Sequence, residues 1–436
     1  MKRKEIKKTL GEIGAVEGDF IEVERNGKTY RGILMPHHAF SGEDMLIIKL
    51  ENGYNIGIRI DDNCRVKLIE KRKERRKKKR VVPFDKSRPS ITLLGTGGTI
   101  ASYVDYTTGA VHPASTSEEL AFSVPEIFDV CNVSAKIIFQ RLSEDIAPHD
   151  WEKIAREVAE ELNKGAEGII ITHGTDTMGY TSAALSFLLK NLSGPVVLVG
   201  SQRSSDRPSS DAFQNLLAAA KVAVSDIGEV VIVMHGTPSP GYCPIYRGTK
   251  VRKMHSSRRD AFRSINENPI GFVDDELHLV TSYRKKSGGK TVADTSLNTN
   301  VSLVYFHPGL SEDDFRKMTE GKDGVVIAGT GLGHVSGNLI PIIEELVGKG
   351  IPVVMTTQCI WGRVNMNVYA TGRKLIQAGV ISGEDMLPET ALVKTMWVLA
   401  NFEGDDIKKM MKKNIAGEIS RRTIYESYPK QKRYIP

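Results

Sequence analysis

Two short loops in this chain combine glycine with threonine in the way a reactive site needs. One is Gly95-Thr-Gly-Gly-Thr99 and the other is His173-Gly-Thr-Asp-Thr177. Glycines let a backbone approach a ligand closely and expose its N–H groups. Threonine hydroxyls and an aspartate beside such amides are the parts of an activated nucleophile with an oxyanion hole. The commoner use of a glycine-rich turn after a first strand is to cradle a nucleotide phosphate. Two features argue against that use. No Gly-x-x-x-x-Gly-Lys-[Ser/Thr] pattern is present, and Ile100 stands where the third glycine of a Gly-x-Gly-x-x-Gly fingerprint belongs.

A threonine hydroxyl also needs a base. His173 opens the second loop, but a strand-end histidine is more often a structural hydrogen-bonder. A lysine can serve if burial or neighbouring cations lower its pKa. Segment 247–263, Arg-Gly-Thr-Lys-Val-Arg-Lys-Met-His-Ser-Ser-Arg-Arg-Asp-Ala-Phe-Arg, offers Lys250, Lys253 and several arginines. Residue type does not choose among them, and for each the plain alternative is a solvated surface cation.

The loops need a scaffold, and the flanking sequence describes one. Ile91-Thr-Leu-Leu, Gly168-Ile-Ile-Ile, Val196-Val-Leu-Val and Val230-Val-Ile-Val-Met read as buried strands, each ending in glycine or polar residues. Helical patterns over 153–162, 183–192 and 212–224 separate them. This alternation predicts a parallel sheet covered on both faces, with ligands at the carboxyl ends of its strands. Segment 285–292 is loop-like, and beyond it Gly324-Val-Val-Ile-Ala-Gly, a helix over 339–346 and Ile351-Pro-Val-Val-Met-Thr predict a smaller α/β unit. Ahead of the body, Gly18–Glu24, Lys28–Met35, Met45–Leu50, Tyr54–Ile60 and Cys64–Ile69 alternate apolar and polar residues. Short strands so closely spaced predict a small β-barrel, SH3-like in size.

Composition narrows the class. At 436 residues the chain is long enough for two or three domains. Its apolar runs fall short of the roughly 18 residues a membrane helix needs. No apolar stretch follows the basic N-terminus, so no secretory signal is expected. The four cysteines, Cys64, Cys131, Cys243 and Cys359, form no Cys-x-x-Cys pair, which fits a reducing cytoplasm better than a disulfide framework or zinc site. No ligand cluster implies a metal, and His37-His38 reads as an exposed loop pair. The net charge of +7 comes from segment 71–80, which holds nine basic residues and one acidic. That run reads as a solvated linker, with contact to RNA phosphates as the alternative.

Several motifs, taken in order and spacing, resemble the bacterial type L-asparaginases. They are Thr-Gly-Gly-Thr-Ile (96–100), Thr-His-Gly-Thr-Asp-Thr-Met (172–178), Gly-Ser-Gln-Arg (200–203) with Ser-Asp-Ala (210–212), and Lys-x-His-Ser-x-x-x-Asp-Ala-Phe (253–262). Gly362-Arg-Val-Asn-Met-Asn-Val-Tyr and Ala378-Gly-Val-Ile-Ser-Gly-Glu-Asp-Met are similar to that family's second domain. The resemblance implies Thr99 as nucleophile, and Thr175, Asp176 and Lys253 as a second catalytic group in which the lysine keeps the Thr175 hydroxyl basic. It implies that Ser143 binds the substrate's α-carboxylate and that a first-loop tyrosine at the substrate, Tyr103 or Tyr106, assists Thr99, with spacing favouring Tyr106. It also implies an active site near a subunit interface, hence a homodimer. Two positions depart from the family: Glu144 replaces a common glutamine and His334 a common asparagine, both toward the end that binds the α-amino and α-carboxylate groups.

The extra N-terminal unit and basic linker resemble the D-subunit family of archaeal glutamyl-tRNA(Gln) amidotransferases. This implies an asparaginase-like two-domain α/β body preceded by a small β-barrel, divided as 1–70 barrel, 71–87 linker, 88–284 first α/β domain, 285–300 linker and 301–436 second α/β domain. It implies a glutaminase that needs no cofactor in this chain. A partner E subunit, a kinase/transamidase, would use ATP and Mg to convert Glu-tRNA(Gln) to Gln-tRNA(Gln), and the homodimer would sit within a heterotetramer. A stand-alone L-asparaginase is the alternative.

Overall fold

Apolar alternation over the N-terminal residues produces one five-stranded antiparallel sheet. It is built from Phe20–Arg25, Lys28–Leu34, Met45–Leu50, Asn55–Arg59 and Cys64–Glu70, with Cys64–Glu70 returning beside Phe20–Arg25. In this computed structural model the described residues are 2–36, 44–51, 54–61, 63–71, 84–98, 102–104, 111–113, 124–203 and 210–429. Alternate residues Ile21, Val23, Ile48 and Ile58 fill the small core. Asn26 and Gly27 both take positive φ, 50° and 71°, which makes the two-residue turn that suits twisted hairpin strands. A helix, Lys2–Glu12, precedes the sheet, although the sequence pattern indicates only strands in this region. Its charged residues mask an i, i+4, i+7 stripe, Ile6, Leu10 and Ile13, that packs onto the core. The run 72–80 and His37-His38 lie outside the described residues.

The body is organised by an eight-stranded sheet. In spatial order its strands are Leu277–Leu279, Gly271–Val273, Cys243–Arg247, Val230–Val233, Val196–Val199, Gly168–Thr172, Ser90–Gly97 and Asn132–Arg141. The last five run parallel. The first three are antiparallel, so the sheet is mixed and not purely parallel as the helix–strand rhythm predicts. The cause is local. Only residues 234–242 connect Val230–Val233 to Cys243–Arg247, too few for the crossover that a parallel neighbour requires. Helices Pro148–Asn163 and Met178–Leu188 cover one face of the sheet, and Ile127–Val130 and Ala212–Ala223 the other.

A four-stranded parallel sheet follows, Val301–Tyr305, Gly324–Gly329, Val353–Thr357 and Ile381–Ser382, in chain order. Helix Pro388–Asn401 lies between the two sheets. Its Trp397 stacks on Phe187 of the first unit with centroids 6.1 Å apart, so both units share one apolar core. No helix among the described residues is long and apolar enough to cross a membrane.

Candidate active site

The second threonine loop leaves the carboxyl end of Gly168–Thr172, which is wholly buried between Ser90–Gly97 and Val196–Val199. Both neighbours press glycines against it. Gly98 has φ +89°, and a Cβ there would stand 2.6 Å from the Gly174 nitrogen. A Cβ on Gly174 would lie 2.7 Å from Cβ of Ser143, and one on Gly200 would lie 2.9 Å from Cγ2 of Thr175. The Thr96 hydroxyl adds a bond to the Thr172 carbonyl at 2.7 Å. The two loops thus meet backbone to backbone at the carboxyl edge, where an open α/β sheet binds its ligands. Thr99 follows Gly98 directly but, like Tyr106, lies outside the described residues. Tyr103 falls in the strand Ser102–Val104, and its side chain is likewise outside them.

Lys253 comes to this edge from a separate two-stranded sheet. It ends the short strand Val251–Lys253, paired with Phe262–Ser264. Its Nζ lies 2.8 Å from Thr175 Oγ1 and 2.9 Å from Asp176 Oδ1. Thr175 is 8% exposed, whereas the Asp176 side chain is 68% exposed. Lys253 Nζ therefore joins a buried hydroxyl to a solvated carboxylate. Lys250, which residue type left equally open, points elsewhere and is ion-paired with Asp385.

Ser143 begins a short 3-10 turn against Gly174. Its carbonyl accepts the Thr177 hydroxyl at 2.6 Å, and its own hydroxyl donates to Glu144 at 3.4 Å. Thr177 thus ties the second loop to the Ser143 turn. Sequence pattern does not single it out for this role, although it closes the His-Gly-Thr-Asp-Thr motif.

His173 is fully buried, and burial pushes its imidazole down to about 4. It is therefore neutral, and its tautomer follows from its neighbours. The Gly174 carbonyl, 2.6 Å from Nδ1, can only accept, so Nδ1 carries the proton. Nε2 then accepts the Thr181 hydroxyl at 2.8 Å, which in turn accepts the Trp151 indole N–H at 3.0 Å. Such a histidine shapes the loop and has no free nitrogen for proton transfer. Among the described residues, no group of three or more His, Cys, Asp or Glu is placed to hold a metal.

Known proteins share this architecture. Residues 90–285 match the family described as asparaginase, N-terminal, and residues 300–412 the glutaminase/asparaginase C-terminal domain. Residues 15–69 match the GatD N-terminal domain. The D subunit of glutamyl-tRNA(Gln) amidotransferase from Pyrococcus furiosus is 54% identical over 428 residues, covering 95% of this chain and 97% of the relative. Its counterpart in Pyrococcus abyssi is 52% identical over 427 residues, covering 94% and 96%. The chain belongs to the D-subunit family of glutamyl-tRNA(Gln) amidotransferases. Solved structures place the family's body: the thermostable L-asparaginase from Thermococcus kodakarensis aligns with TM-score 0.71 and 35% identity, covering 76% of this chain and 100% of that one. L-asparaginase I from Vibrio cholerae aligns with TM-score 0.68 and 31% identity, covering 76% and 99%. Whole asparaginases thus match three quarters of this D-subunit family member.

His334 makes no side-chain hydrogen bond to the described residues of the threonine cluster. It closes the turn from Thr330 in the second α/β unit and meets the Tyr369 ring edge-on at 5.3 Å. Neither of its ring nitrogens has a hydrogen-bond partner among the described residues. The structure brings Ser143, Glu144, Thr175, Asp176 and Lys253 together, and it does not join His334 to them by a hydrogen bond.

Proposed function

We propose that this chain is the glutaminase subunit of an amidotransferase acting on Glu-tRNA(Gln). The observation that carries the chemistry is the 2.8 Å contact between Lys253 Nζ and the Thr175 hydroxyl beside the first-loop glycines. In this reading the Thr99 hydroxyl attacks the glutamine side-chain carboxamide carbon, and exposed loop N–H groups hold the oxyanion. The Thr99 proton passes by way of the Thr175–Lys253 pair to the departing nitrogen. The C–N bond breaks, ammonia leaves, and an acyl-threonine ester remains. Water then cleaves the ester to glutamate and restores the Thr99 hydroxyl. Asp176 orients Lys253 and faces the substrate's α-amino group, while Ser143, Glu144 and Tyr106 complete the substrate contacts.

The N-terminal domain match supports the amidotransferase assignment, since asparaginases align without that unit. A partner E subunit would phosphorylate the glutamyl-tRNA carboxylate with ATP and Mg, and the released ammonia would displace that phosphate. The overall reaction is then C–N ligation with glutamine as amide donor. The chain would need no cofactor of its own, and would work in the cytoplasm as a homodimer within a heterotetramer. Glutamine hydrolysis measured with and without the partner and tRNA tests the proposal, and stimulation by both is expected. Strong asparagine turnover that the partner leaves unchanged would instead favour a stand-alone L-asparaginase, a reading supported by the complete alignment of asparaginases with the body. Removal of residues 1–85 separates the two, disrupting assembly in the first case and sparing activity in the second.

A further inference from the structure

The strand that presents Lys253 is only three residues long and has a single strand partner among the described residues. Its upstream end is held from within the first unit, where the Ile265 N–H donates to the Lys250 carbonyl at 2.7 Å and the Ser182 hydroxyl to the Gly248 carbonyl at 2.8 Å, and also by the second α/β unit and the segment that follows it. The Lys250 side chain is fully buried, and its Nζ donates to Asp385 Oδ2 at 2.6 Å and to the Asp385 carbonyl at 3.3 Å. Asp385 is itself fixed, because its Oδ1 accepts the Ser420 amide at 2.9 Å. The Thr249 carbonyl accepts the Thr390 hydroxyl at 3.0 Å, and the Thr249 hydroxyl donates to the Ala416 carbonyl at 3.1 Å.

Such a pair has little to offer stability alone. Desolvation offsets much of its attraction, and well-packed apolar replacements are often neutral. It does fix distance. A side-chain hydrogen bond is lost once its atoms separate beyond about 3.5 Å, so a shift of about 1 Å upstream is enough to spoil the Lys253–Thr175 contact. We propose that Asp385, by clamping Lys250, is a positioning residue: the second α/β unit sets through this pair the reach of Lys253 to Thr175. The proposal rests on the reading of Lys253 as part of the catalytic group. Neither Lys250 nor Asp385 touches the reacting atoms.

The test uses the full chain carrying Lys250→Met with Asp385→Leu, so that no single buried charge is stranded, and separately Asp385→Asn, which is isosteric. Glutamine hydrolysis and thermal unfolding are measured for each. With the fold kept, kcat is expected to fall about tenfold or more while KM stays within about twofold. The same changes are then made in a Lys253→Ala background and read on the residual rate that the remaining binding contacts sustain. There they are expected to cause no further loss, because a device that acts through Lys253 has nothing left to position. Unchanged kcat in a folded variant overturns the proposal, and so does an equal further loss without Lys253. If the double variant does not fold, Asp385→Asn is read by the same two criteria. Full activity of Lys253→Ala alone would instead sink the proposed chemistry, a distinct outcome.

Discussion

A Cβ on Gly98 would stand 2.6 Å from the backbone nitrogen of Gly174, so the two threonine loops meet at a point where no side chain fits. Gly98 also sits at φ +89°, which L side chains avoid. Gly98→Ala is therefore expected to push the loops apart. Stability should fall by about 2 kcal/mol, and glutaminase activity by more than about tenfold. Urea unfolding and steady-state kinetics measure the two effects. Wild-type activity in this variant would mean that the contact is dispensable.

Lys253 should matter far more to rate than to fold. Its partner Asp176 is 68% exposed, so their ion pair adds no more than about 1 kcal/mol. Lys253→Met is expected to lower kcat by about a hundredfold to ten-thousandfold, with thermal unfolding nearly unchanged. A loss confined to KM would reassign the lysine to substrate binding.

His173 makes stability depend on pH in a defined direction. Its imidazole is held at about 4 by burial, against 6.5 for a free side chain. Between those values the unfolded chain binds a proton that the folded one excludes. The contribution is therefore complete above about pH 6.5 and lost as pH falls toward about 4, by about 3 kcal/mol overall. Urea unfolding from pH 7 to pH 4 should show this loss, and His173→Asn should flatten it. The buried His235, also lowered by burial, adds to the slope in the same sense and stays in both proteins. An identical slope in the variant would remove His173 from the explanation.

Thr181 links Trp151 to His173, and its removal exposes the cost of unpaired buried groups. Thr181→Val keeps the shape but leaves the indole N–H and Nε2 of His173 without their partner. A loss of about 1–3 kcal/mol is expected in chemical unfolding. A change below about 0.5 kcal/mol would imply that the site relaxes to pair both groups anew.

The two glycine-threonine loops were largely legible in the residues because they depend on short-range rules. Glycines at Gly97 and Gly98, polar endings on β-rich runs and threonines after them are set within a few positions, and such local needs leave a pattern. The mixed sheet was less legible, since its antiparallel edge follows from the short connection 234–242 and not from any strand's own composition. The N-terminal helix was hidden by charge, its apolar residues Ile6 and Leu10, with Ile13 just beyond it, gaining meaning only from the core they cover.

Sequence alone determined that two threonine loops of this type stand at neighbouring strand ends, and which family's motifs they carry. Residue type leaves two lysines open and the motif resemblance implies Lys253; only the tertiary structure puts one of them, Lys253, against Thr175. Lys250 and Lys253 are three residues apart on one basic segment and offer the same ammonium. One is sealed against Asp385, and the other reaches Thr175 across 78 positions of sequence. Residue type records what a side chain can do. What it meets depends on contacts between distant segments, which local sequence pattern does not encode.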